Sequence, residues 1–140
     1  MTSTIQSGSL QGVDGHSIQV EVDLLRRLPC ITIVGLPGNA IRESADRVRS
    51  AIQQSGFEFP RKRVIINLAP ADVKKNGAFF DLPIAIAILQ AQGIVPENAT
   101  QHTLFAGELS LSGALRPIKG ALSLALLARD LDLQKIVLPQ

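Results

Sequence analysis

Ile18, Val20 and Val22 alternate with Gln19, Glu21 and Asp23, the period of two of a half-buried strand. Asp14-Gly15 just before it suits a hairpin turn, with a first strand around Ile5 to Val13. Arg26-Arg27-Leu28-Pro29 is a connector. Cys30 to Leu36 is continuously apolar and β-rich, which predicts a strand covered on both faces, with Cys30 a buried filler. Gly35-Leu36-Pro37-Gly38 then leads into a helix from about Ala40 to Ser55, capped by Asn39 and stopped by Gly56. Ile41, Ala45, Val48 and Ile52 form its apolar stripe, while Arg42, Asp46, Arg49 and Gln53 line the opposite side. Arg61-Lys62-Arg63 opens the next strand, Val64 to Leu68.

The stretch from Asn67 to Ala87 organises the rest. The strand breaks at Pro70, and a polar, basic loop with Lys74, Lys75 and Asn76-Gly77 precedes an apolar helix that runs to Ala91. Asp81 is expected to be the N-cap, with Leu82 and Pro83 in the first turn, where proline loses no hydrogen bond. A helix apolar nearly all round is a buried one. Leu104 to Leu109 reads as a strand turned back as a hairpin by Leu111–Leu115. Arg116-Pro117-Ile118-Lys119-Gly120 opens a third helix, carried by Leu122, Leu126 and Leu131 with Leu124, Ala125 and Leu127 widening its apolar side, and Lys135 to Pro139 is a last strand. Strands alternating with helices mean an α/β or α+β domain.

At 140 residues the chain is a single domain, and 46% apolar with 19% charged residues describes a globular chain rather than a disordered one. A net charge of +2 does not by itself imply nucleic acid, so any basic function must come from local clustering. One cysteine excludes an internal disulfide and any multi-cysteine metal site. His16 and His102 have no partner at ligand spacing, so no metal site is expected. No apolar run reaches the ~18 residues of a membrane helix and no signal pattern opens the chain, which leaves a cytoplasmic protein with no membrane partner. Gly35 to Ser44 has neither a G-K-[ST] ending nor G-x-G-x-x-G, so it reads as a tight turn. The basic residues gather in two groups, Arg61, Lys62 and Arg63 against Lys74 and Lys75, at opposite ends of the Val64–Leu68 strand.

Longer motifs carry a resemblance. Ile33-Val-Gly-Leu-Pro37, Glu43-Ser44, Arg47-Val-Arg49, Ser55-Gly-Phe-Glu-Phe-Pro60 and Asn67-Leu-Ala-Pro-Ala-Asp72 come in order. Gly77, Phe80-Asp-Leu-Pro83-Ile-Ala85, Gly107-Glu108-Leu-Ser-Leu111, Gly113, Leu115-Arg-Pro117 and Gly120 continue the series. Together they resemble the N-terminal domain of the ComM/YifB family of magnesium-chelatase-like AAA+ ATPases. The structural positions of that motif set are Asp72, Gly77, Asp81, Pro83, Gly107, Glu108, Gly113, Pro117 and Gly120.

The resemblance implies an α+β sandwich, a mixed sheet with helices mainly on one face. That fold is similar to the Lon protease domain, the C-terminal domain of RadA and ribosomal protein S-five domain two. It implies residues 1–140 as one N-terminal domain of a longer protein, with the Walker motifs, ATP and magnesium in a module beyond Gln140. It implies a hexameric ring that acts on DNA in branch migration and natural transformation, with the ATPase module and neighbouring subunits as partners. Lon-type proteolysis needs a serine at the loop-to-helix junction and a lysine in the later helix. Here the junction reads Gly77-Ala-Phe-Phe-Asp81 and the helix after Gly120 has no lysine, so no catalytic residue and no cofactor is expected in this chain. Lys74, Lys75, Arg61, Lys62, Arg63, Arg116 and Lys119 are the candidates for phosphate contacts. The alternatives are a protein-interaction scaffold without a nucleic-acid role, and a regulator of metal-chelatase chemistry.

Overall fold

Two long antiparallel strands, β1 (Thr2–Gln11) and β2 (Asp14–Leu25), are the spine of the computed structural model, which describes residues 2–11, 14–72, 75 and 77–139. β3 (Cys30–Val34), β4 (Arg63–Ala69), β5 (Thr103–Phe105) and β8 (Lys135–Val137) complete a six-stranded mixed sheet in the order β3-β4-β2-β1-β5-β8. β6 (Glu108–Leu109) and β7 (Leu115–Arg116) form a separate two-stranded hairpin. A short helix α1 (Asn39–Arg42) and α2 (Ser44–Gln54) lie between β3 and β4. α3 (Asp81–Ala91) follows β4, and α4 (Ala121–Asp130) precedes β8.

Strand alternation decides which helix goes where. Ile5 on β1, Ile18, Val20 and Val22 on β2, and Val64, Ile66 and Leu68 on β4 are buried and share one core with α2 and α3. Their neighbours point the other way, and there a side chain on Gly8 or Gly15 would meet Leu127 of α4. α4 therefore covers the opposite face, at the end of the sheet where Leu104, Leu124, Leu127 and Ala128 make a second, smaller core. Helices thus lie mainly on one face, as expected, with α4 the exception.

Several local expectations are corrected. Asp14 and Gly15 are already in β2, paired with Gln11 and Leu10, so they are not the hairpin turn; Val13 lies outside the described residues. Gly15 is instead where Leu127 of α4 comes close. β3 is an edge strand, and Cys30 is exposed rather than buried, because it lies on the sheet face away from α2 and α3. The expected helix from Ala40 to Ser55 breaks at Glu43 into α1 and α2, and Asn39 is not its cap; Gly38 holds that position without a side-chain bond. Leu104 to Leu109 is not one strand: its first half joins the main sheet and its second half the β6–β7 hairpin. α4 begins at Ala121, not within Arg116–Lys119, and it buries Leu124, Leu127 and Ala128. Leu122 and Leu126, expected inside, are 74% and 41% exposed. α4 is apolar on most sides, and the glycines beneath it select which side goes in.

Candidate nucleic-acid interface

Asp81 is the first residue of α3 and is completely buried, and its carboxylate caps nothing. It accepts from Ser44 Oγ at 2.5 Å, Arg47 Nε at 2.7 Å, Arg47 Nη2 at 3.1 Å and the Leu109 backbone N–H at 3.0 Å. One carboxylate thus joins α2, α3 and β6. A cap must reach its own helix's first free N–H groups, whereas this side chain turns outward to a cation that has arrived from another helix. The Arg47 guanidinium is held above its ordinary value by the hydrogen bond to Asp81. Desolvation works against this, and the charges of Asp81, Glu108 and Glu43 add to it. In the sequence Ser44 and Arg47 stand out only as parts of a motif; nothing in their spacing ties them to a residue 37 and 34 positions later.

The same junction fixes the other motif residues. Gly77 has φ +95, and beyond it Phe79 stacks on Phe80 with ring centroids 4.8 Å apart. Phe79 accepts the Gly107 N–H at 2.7 Å, and the Leu82 N–H donates back to Gly107 at 3.0 Å. Pro83 is buried in the first turn of α3. Gly113, at φ +92, sits where a side chain would press on Ser55, and Gly120, at φ +85, precedes α4. The helix junction is therefore filled by two aromatic rings and a structural ion pair.

Lys75 does not stand where a phosphate could reach it. Its side chain is buried, and its ammonium donates to the Pro70 carbonyl. Its backbone is pinned too: its N–H donates to Leu36 at 3.1 Å and its carbonyl accepts from Gly38 at 2.8 Å. The paired phosphate contact expected from Lys74 and Lys75 is thus corrected for Lys75, while Lys74 lies outside the described residues. Burial pushes the Lys75 ammonium below the usual lysine value of 10.5, with exposed Asp72 opposing the shift. The folded protein then binds fewer protons than the unfolded chain between that lowered value and 10.5, so Lys75 contributes a gain in stability as pH rises through that window. Urea midpoints should show this alkaline gain in the wild type and lose it in Lys75→Met. An equal gain in both would show that Lys75 titrates normally.

The remaining candidates fall into two separate groups. Arg61 and Lys62 line a cavity of about 320 Å³ with Ala91 and Gln92, at the C-terminal end of α3. Arg63, half-buried, is the first residue of β4. Arg116 is paired with Glu108 across the β6–β7 hairpin, and Lys119 lines a second cavity with Gly77, Phe79, Glu108 and Pro117, at the N-terminal end of α3. The 11 residues of α3 set the two groups about 16 Å apart. The first group meets the negative end of the helix dipole, which favours cations.

A protein-family model described as subunit ChlI of Mg-chelatase matches residues 20–140. The chain belongs to this ChlI family. YifB of Escherichia coli (strain K12) is 47% identical over 123 residues, covering 88% of this chain and 24% of the relative. The competence protein ComM of Haemophilus influenzae is 39% identical over 136 residues, covering 97% of this chain and 27% of the relative. A weaker likeness, 25% over 135 residues, reaches the Lon protease of Lachnoclostridium phytofermentans, covering 91% of this chain and 16% of that protein. The chain spans about a quarter of the length of YifB and ComM. The magnesium-chelatase-related, ComM/YifB-like character expected from the motifs is therefore established. Among the described residues no helix is long and apolar enough to cross a membrane.

Proposed function

We propose that these 140 residues are a non-catalytic accessory domain of a ComM/YifB-like AAA+ ATPase. The domain helps assemble the ring and contacts DNA during branch migration and recombination in natural transformation. ATP and magnesium are bound by a module outside it, and the protein works in the cytoplasm as a hexamer. The observation that carries this reading is the match of 97% of the chain to a competence protein nearly four times its length. The Asp81–Arg47 pair supports it: a junction locked by a buried ion pair and two aromatic rings is built for rigidity. The chain alone is expected to turn over neither ATP nor peptide. Coupled phosphate release and a fluorogenic peptide assay check this, and turnover of either that survives purification contradicts it.

Leu122 and Leu126, exposed on α4, favour a second reading in which the domain is a protein-interaction scaffold with no role on DNA. The two readings separate on whether the full-length protein binds DNA in a salt-dependent way.

A further inference from the structure

Arg26 and Arg27 enter the sequence as a connector, and the sheet gives them a different meaning. Leu25, the last residue of β2, is paired with Arg63, the first of β4, and Cys30, the first of β3, is paired with the same Arg63 from the other side. The connector between β2 and β3 therefore crosses directly over the entry to β4. The Arg27 N–H donates back to Leu25 at 2.8 Å, a tight turn that keeps both arginines at the sheet end. With strands about 4.8 Å apart, Arg26, Arg27, Arg61, Lys62 and Arg63 share one edge of the molecule. Five of the chain's 14 lysines and arginines thus sit together in a protein of net charge +2.

Arg26, Arg27 and Arg61 are exposed, and Lys62 and Arg63 are half-buried. The Nε of Arg63 is buried with no hydrogen-bond partner, and so is the Oε1 of Gln92 in the adjoining cavity wall. Glu58 is the acid in that cavity, and Asp23, paired with Ile65, is the acid nearest on β2. Two carboxylates do not neutralise five cations. Phe59, the ring in the cavity wall, packs against the core, and Arg49 lies over one of its faces with the guanidinium 5.1 Å from the centroid. Leu28, 87% exposed, lies on the same connector as Arg26 and Arg27.

We infer that this five-cation edge is the surface by which the domain holds the phosphodiester backbone of nucleic acid, without reading sequence. The inference rests on the DNA-contacting reading above and joins Arg26 and Arg27 to three of its candidate cations, Arg61, Lys62 and Arg63. Arginine forks suit phosphate oxygens, and contacts from two chain segments, Arg26-Arg27 and Arg61–Arg63, distribute them along a strand rather than around one ion.

The test uses the full-length protein and a fluorescent DNA duplex of random sequence, titrated between 50 and 200 mM salt. Combining Arg26→Ala, Arg27→Ala, Arg61→Ala and Lys62→Ala should flatten the slope of log affinity against log salt by about three to four and weaken binding at least about tenfold at the lower salt. Combining Arg26→Lys, Arg27→Lys and Arg61→Lys keeps the charge and should keep the slope, which separates lost charge from lost fold. Arg116→Ala with Lys119→Ala should leave most of the slope in place. A wild type that binds with a steep slope and an alanine variant that matches it would overturn this surface while leaving the DNA reading intact, and would point to an acidic protein partner. A wild type with no salt-dependent binding would overturn both.

Discussion

Replacing Asp81 with alanine is expected to cost about 3–5 kcal/mol of unfolding free energy, the range for removing one member of a buried ion pair. The carboxylate is fully buried and accepts four hydrogen bonds, two of them from the Arg47 guanidinium. Without it a largely enclosed guanidinium, a buried Ser44 hydroxyl and the Leu109 N–H lose their acceptor together. A helix cap would cost only about 0.5–2 kcal/mol, so the magnitude separates the two roles. Urea denaturation of the single variant is the measurement. Adding Arg47→Met to Asp81→Ala should recover part of the loss, because the stranded charge is then removed. A loss under about 1 kcal/mol would show that the network contributes little.

Gly35→Ala is expected to be the other severe change. Gly35 has φ +103, and a Cβ there would run into the backbone carbonyl of Leu68. The residue leaves β3 just after Val34 pairs with Asn67, where the chain turns across the end of β4 towards α1. A backbone oxygen in the sheet cannot swing aside as a side-chain tip can. Loss of about 3 kcal/mol or more is expected, the positive φ alone accounting for about 1–2 of it. Gly56→Ala is the matched control: its φ is +89 and nothing lies within 4 Å of the added carbon, so only the smaller part should appear. Equal losses at the two sites would show that contact with Leu68 plays no part.

What could be read in advance was what local periodicity carries. The alternation at Ile18, Val20 and Val22 marks the buried face of β2, and Asp81 to Ala91 is the helix it was expected to be. What could not be read was pairing at a distance. Asp81 looks like a cap because a carboxylate opening a helix normally is one, and only the fold brings Arg47 to it. Lys75 looks exposed because lysines usually are, yet its loop is stitched to Leu36 and Gly38. Cys30 sits in an apolar run that looks doubly covered until β3 is found at the sheet edge. Both stripes of α4 are leucine-rich, so composition could not choose between Leu122 and Leu124, and the choice was made by Gly8 and Gly15 on the strands beneath. The same limit hid Arg26 and Arg27, which join Arg61 only through the register of three strands.

The most direct test of the functional account is the DNA affinity of the assembled full-length ATPase with and without residues 1–140. It is measured at two salt concentrations, with the assembly state read from the same samples by light scattering. The account predicts that removing the domain weakens DNA binding at low salt, flattens its salt dependence and reduces the fraction in rings. Unchanged affinity, slope and ring fraction would contradict it.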